Sequence, residues 1–153
     1  MDIYIIGGAT DIYGTAVSSV YVYNVSTKTY LKKTNMPIGI GYPTTSVIKG
    51  KIYVIGGSVV AAYDEATNSW ASKMNLPQKL CGEAAGLVND KIYVIGGSTS
   101  ILGTGYVVDS VYEYNLVSNS WTRKSNIPTP LMSAASAAVD AKNLCHRWMP
   151  LWV

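Results

Sequence analysis

Hydrophobic residues along this chain come in short blocks that return. Residues 51–57 read KIYVIGG, the same seven residues recur at 91–97, and DIYIIGG at 2–8 is a near copy. Four consecutive apolar positions without polar alternation fit a strand covered on both faces. The glycine pair that follows fits a strand end where a Cβ would obstruct the turn or a neighbouring backbone. VYVYN (20–24) and VYEYN (111–115) alternate instead, as a differently placed strand would. A Ser, Thr and Asn-rich turn comes next, then a short strand carrying Trp70 or Trp121. A further apolar strand precedes the next glycine pair, at 44–48, 84–88 and 134–139.

The spacing is regular in one part of the unit and free in another. Tyr23, Tyr63 and Tyr114 are each followed after seven residues by an aromatic one, Tyr30, Trp70 and Trp121. Seven residues later stand Pro37, Pro77 and Pro128, and 19 residues separate Pro37 from Gly56 and Pro77 from Gly96. Only the stretch from the second glycine to the tyrosine varies, at 15, 6 and 17 residues. A constant frame with one elastic segment is the mark of a repeated unit with one elaborated loop.

Four short strands per repeat, a double glycine and a spaced Tyr and Trp resemble the kelch repeat of β-propellers. The resemblance covers residues 2–139. It implies an all-β fold, a partial propeller of about three four-stranded antiparallel blades. By the family pattern the glycine pair closes the second strand, the Tyr lies on the third and the Trp on the outermost fourth. A single kelch domain is therefore expected over residues 1–141. Its blades fall near 2–33, 43–73 and 82–124, with one leftover first strand at 133–139. The first blade lacks such a strand. Three blades are too few for an ordinary closed ring of about 4–8. Two chains exchanging their final strands would make six blades with two-fold symmetry.

Residues 142–153 read as an aberrant tail. The frame places a fourth glycine pair from position 147, which is Arg147. KNLCHRWM (142–149) has a possible coding sequence that reads KIYVIGG when one nucleotide is skipped, with glycines at 147 and 148. The tail is thus expected to be a frameshifted end of a longer propeller.

Composition narrows the function classes. The 153 residues are 48% hydrophobic and 14% charged, which folds readily and argues against disorder. The net charge of +3 is spread without a basic cluster, so nucleic acid is not an expected partner. No apolar run approaches the roughly 20 residues that span a bilayer, and no signal peptide is visible. A cytoplasmic setting is the default. Cys81 and Cys145 form neither a metal spacing nor a disulfide framework. His146 is the only histidine, and in a strand it would point away from its neighbour Cys145. No catalytic residue, metal or cofactor is expected.

The resemblance implies a non-catalytic protein-binding or scaffold module whose variable loops grip a protein partner. Those loops are residues 9–18 and 98–108, and Asp11, Tyr13, Tyr106 and Asp109 are the candidate contacts. Two alternatives stand beside this reading. One is a truncated gene remnant without function. The other is part of a kelch-type enzyme, such as a sugar epimerase or a copper oxidase, for which acid/base and copper-ligand residues are lacking. Sequencing the gene across codons 142–149 checks the shifted-frame reading: codons incompatible with KIYVIGG in the neighbouring frame would end it.

Overall fold

The structure, a computed structural model, describes residues 2–11, 15–100, 105–139 and 142–146. The first sheet holds β1 (Asp2–Ile6), β2 (Val20–Asn24) and β3 (Thr29–Lys32). The second holds β4 (Thr44–Ile48), β5 (Lys51–Gly56), β6 (Val59–Asp64) and β7 (Ser69–Ser72). The third holds β8 (Ala84–Val88), β9 (Lys91–Ile95), β10 (Val111–Asn115) and β11 (Ser120–Lys124). A last pair is β12 (Ala135–Val139) with β13 (Lys142–His146). Each sheet is an antiparallel meander in chain order, the all-β blade architecture the repeats lead one to expect. No helix occurs among the described residues.

Register explains the periodic aromatics. Ile52 lies opposite Tyr63, and Tyr63 opposite Trp70. Ile92, Tyr114 and Trp121 form the same rung one blade on, and Ile3, Tyr23 and Tyr30 form it in the first blade. Residues opposite each other share a sheet face, so each blade shows this rung on one side, its leading face. The next residue of the second strand, Tyr4 or Tyr53, points the other way. Tyr4 meets Tyr63 across the first joint at a centroid distance of 5.8 Å. Tyr53 meets Tyr114 across the second at 6.3 Å.

Two apolar cores fill these two joints. Val20, Met36 and Ile40 of the first blade bury Ile52, Val54 and Tyr63 of the second. Ile48, Tyr53, Ile55, Val60, Leu76 and Leu80 of the second bury Ile92, Val94, Tyr112 and Tyr114 of the third. Each fully buried side chain of this size contributes about 2 kcal/mol, so burial dominates the joint.

Hydrogen bonds then fix how one blade sits on the next. Trp70 Nε1 donates to the Thr34 carbonyl at 2.9 Å, while Asn68 Oδ1 accepts from the Thr34 N–H at 3.1 Å. One blade later, Trp121 Nε1 donates to the Met74 carbonyl and Asn119 Oδ1 accepts from the Met74 N–H, both at 2.9 Å. Both backbone groups of one linker residue are held by the following blade. Asn68 and Asn119 stand at φ +50°, a left-handed conformation that Asn tolerates better than most residues. Each carboxamide oxygen also accepts its own blade's tyrosine hydroxyl, Tyr63 or Tyr114. In the first blade these positions are Lys28, at φ +57°, and Tyr30. Neither can make the same pair of bonds.

One expectation changes. KIYVIGG-type strands are apolar on both faces, but double-sided burial is complete only in β5, where Ile52 to Ile55 are all buried. In β1, Ile3 is 52% and Ile5 46% exposed, because no described element covers the leading face of the first blade. Residues 142–146, the start of the segment read as a tail, pair with β12. Val139 pairs with Lys142, as Ile48 pairs with Lys51 and Val88 with Lys91. Residues 142–146 thus take the place of a second blade strand, and residues 147–153 lie outside the described residues.

Asn119→Ala removes the acceptor for the exposed Met74 N–H and the part-buried Tyr114 hydroxyl and leaves a poorer left-handed turn. It should cost about 1–2 kcal/mol, read as a lower urea midpoint by tryptophan fluorescence. A loss within the error of the measurement would show that the latch adds nothing to burial.

Candidate functional site

The glycine pairs and the linkers between blades meet at one end of the blades. Gly8 N–H donates to the Ile40 carbonyl at 2.9 Å and Gly97 N–H to the Leu131 carbonyl at 2.7 Å. Leu80 N–H donates to the Gly57 carbonyl at 2.9 Å. Gly7 shows why the pair is glycine. Its φ is +64°, and a Cβ there would stand 2.8 Å from the Ile40 carbonyl oxygen. In the second blade the pair does different work: Gly56 ends β5 opposite Val59, and the chain reverses at Gly57 and Ser58. The short gap of six residues is therefore a tight hairpin.

The two long gaps are built alike. Val17 N–H bonds to the Gly8 carbonyl and Thr10 N–H to the Thr15 carbonyl, both at 3.0 Å, around an Ala9–Ala16 bridge. In the third blade Val108 N–H bonds to the Gly97 carbonyl at 2.9 Å and Thr99 N–H to the Tyr106 carbonyl at 3.0 Å, around a Ser98–Val107 bridge. Each loop thus stands on a short two-stranded stem. Cys81 ties a linker to the third-blade stem by exchanging backbone bonds of 2.8 Å with Ser98.

Between linkers and stems lie two cavities. One of about 380 Å³ is bordered by Ala16, Gly39, Tyr42, Gly57, Lys79 and Cys81. The other, about 180 Å³, is bordered by Tyr42, Cys81, Ser100, Met132 and Ser133. They share Tyr42 and Cys81. The repeat makes these positions visible only indirectly, since Tyr42 and Gly82 occupy equivalent places five residues after Pro37 and Pro77 and no chemical signature marks them.

The four residues proposed from sequence fare differently. Tyr106 lies on the stem and is 80% exposed. Asp11 is exposed and accepts the Thr15 N–H at 3.0 Å, shaping its own loop. Asp109 is half-buried and accepts from Asn126 Nδ2 at 2.9 Å, which binds the loop base to the following linker. Tyr13 lies outside the described residues. The structure brings Tyr106 and the cavities to one end of the blades and gives Asp109 a bracing role. Of Cys145 and His146 only the backbone is described.

Two carboxylates have unusual chemistry. Glu113, on β10, accepts from Lys91 Nζ at 2.8 Å, Tyr93 Oη at 2.6 Å and Lys124 Nζ at 3.0 Å. Lys91 above all, then Tyr93 and Lys124, hold its carboxyl down at about 2. The same contact pushes the Tyr93 hydroxyl up to about 12. This is a satisfied ion cluster with no orphaned group. Glu83 is the opposite. It stands where the second blade has Pro43, it is 6% exposed, and neither carboxylate oxygen has a hydrogen-bond partner. Burial pushes its carboxyl up to about 7. Burial first, and Glu83 second, also raise the neighbouring Cys81 thiol, which is therefore a weak nucleophile at neutral pH. Among the described residues no three His, Cys, Asp or Glu side chains are placed to hold a metal ion.

The folded state favours the neutral form of Glu83. Its contribution to stability is full below the ordinary glutamate value, fades as pH rises and is lost above about 7. The span corresponds to roughly 3 kcal/mol. Glu83→Gln stays neutral at every pH, so the difference in urea stability between pH 5 and pH 8 should shrink by about that amount. An unchanged slope would show that Glu83 is solvated or paired in the folded protein.

No curated protein matches the chain in sequence. In structure it resembles YjhT with a TM-score of 0.76 at 19% identity, over 92% of this chain and 54% of that one. The chain thus spans about half the length of that relative. No described helix is long and apolar enough to cross a membrane. A family model of the Kelch motif matches residues 2–37 and 80–128, and a second Kelch motif model matches 40–77. With glycine pairs that seat the linkers, a tyrosine and an aromatic residue on one rung, and these matches over most of its length, the chain belongs to the kelch-repeat family.

Proposed function

We propose that the chain is a non-catalytic binding module that takes a protein partner at its loop end. The observation that carries this reading is Tyr106, 80% exposed on a hydrogen-bonded stem at the same end as the paired cavities. A tyrosine held on a firm support offers a large contact area at small entropic cost, which is why interfaces favour it. Asp11 and Tyr13 belong to the first-blade loop, whose stem is built in the same way, and they complete the candidate contact set. Asp109 supports the set from below. A reducing, cytoplasmic setting accords with the free thiol of Cys81.

An enzymatic reading would draw on Glu83, whose carboxyl lies near neutrality as a general acid or base requires. Both of its oxygens are sealed from solvent, so a substrate has no path to them in this conformation. That favours a packing role over proton transfer.

The test is capture of partners from an extract of the source organism by the wild-type chain and by Tyr106→Ala in parallel. A specific partner should be retained by the wild type and reduced roughly tenfold by the variant, the usual effect of losing a central tyrosine. Equal retention by both chains, with both folded by circular dichroism, would remove the loop end as the binding site.

A further inference from the structure

We propose that Glu83 is a proton-operated clasp: while its carboxyl is neutral it holds the linker before β8 against the third-blade stem, and on ionisation it releases that stem and Tyr106 with it. The loss of binding that follows rests on the reading of Tyr106 as a contact. The clasp itself does not, and its test needs no partner.

The stem is a small three-stranded ladder. Ser98 pairs on one side with Val107 and on the other with Cys81. Cys81 and Ser98 exchange N–H to carbonyl bonds of 2.8 Å in both directions. Beyond this rung Thr99 N–H donates to the Tyr106 carbonyl at 3.0 Å, and Tyr106 N–H donates to Thr99 Oγ1 at 2.9 Å. A two-stranded ribbon by itself is marginal in water, and a third strand makes it firm. The pairing with Cys81 therefore decides how firmly Tyr106 is held.

Glu83 stands two residues past that pairing and closes against it. A Cβ on Gly97 would lie 3.2 Å from both the Cys81 carbonyl oxygen and Glu83 Cβ, so the linker touches the foot of the stem here. Glu83 is buried, and both of its carboxyl oxygens are unpartnered. Such a place does not hold an ion, because the lost hydration is uncompensated. The surroundings supply no counter-ion. The linker carries the Cys81 thiol and, before it, the exposed Lys79, whose amine acts on Cys81. Gly97 and Ser98 of the stem and Leu131, Met132 and Ser133 of the following linker are uncharged. Burial sets the titration of Glu83, and no charged neighbour contributes.

Ionisation thus requires water at Glu83, and the route is short. Both cavities border Cys81, so solvent stands beside the linker. Ala85, two residues further on, packs into the second joint. Lifting residues 81–83 off Gly97 and Ser98 hydrates the carboxylate, breaks the two Cys81–Ser98 bonds and leaves that joint intact. The first-blade stem is an internal control. Glu83 and Glu113 are the only buried carboxylates among the described residues, and Glu113 is held by Lys91, Tyr93 and Lys124.

Amide hydrogen exchange on the intact chain reads the clasp. After division by the intrinsic rates, exchange of the Cys81 and Ser98 amides should accelerate roughly 70-fold from pH 5 to pH 8, as expected for a carboxyl raised from its ordinary value to about 7. At pH 8 these amides should exchange faster than those of Val54 and Ile55 in the core, which marks local opening. The Thr10 and Val17 amides of the first-blade stem should not accelerate. Glu83→Gln and Glu83→Met are neutral at every pH, and each should abolish the effect; the second serves if a buried carboxamide impairs folding. His146 is present in every chain compared, so its titration cancels. Acceleration that persists in the variants would overturn the clasp. So would Cys81 and Ser98 amides that exchange at the core rate at every pH, or equal acceleration at the first-blade stem. If exchange behaves as described and Tyr106→Ala still captures a partner as well as wild type, the clasp stands and the binding reading falls.

Discussion

The constraint on which this molecule rests is that its second strands are apolar on both faces and a single sheet can cover neither. KIYVI has no polar side on which to meet water. A blade by itself would leave both rows exposed, and only stacking buries them. The cores are therefore found between blades, and Val54 and Ile55, adjacent in sequence, belong to different ones. This is why the repeat cannot be understood one unit at a time.

Burial by itself would allow one blade to slide or rotate on the next, since apolar contact is non-directional. The aromatic rung and the Asn–Trp pair remove that freedom. Their energy is modest beside the cores, about 1 kcal/mol for a net hydrogen bond. Their geometry is demanding, because two bonds to one linker residue leave a single register. The sequence of events from residue to architecture is short. A Trp seven positions after a Tyr shares its rung, the rung lies on the leading face, and the indole reaches the preceding linker.

Most of the blade architecture was legible in the sequence because its determinants are repeated and local. Double glycines, the seven-residue aromatic interval and the Ser, Thr and Asn-rich turns each fix a piece of backbone, and β4 and β8 fall on the expected residues. The site was less legible. Asp109 looked like a contact from its loop position, but its partner Asn126 lies 17 residues away and only the folded linker brings them together. Tyr42 and Cys81 border both cavities without any motif to mark them. Glu83 sits among residues read as strand ends and turns, and its burial beside Gly97 appears only in the folded blade. The second strand of the last hairpin was hidden for another reason. Asn143 and His146 break the apolar pattern, whereas pairing with β12 needs only backbone groups.

The latch between blades reads peptide groups, never a side chain. Thr34 and Met74 have nothing in common chemically, and both are gripped in the same manner. For this part of the joint a blade carries its own half and asks of its predecessor only a backbone in the right place. Duplication or loss of a repeat therefore leaves no mismatched partner in the latch, and only the apolar packing between blades has to adjust.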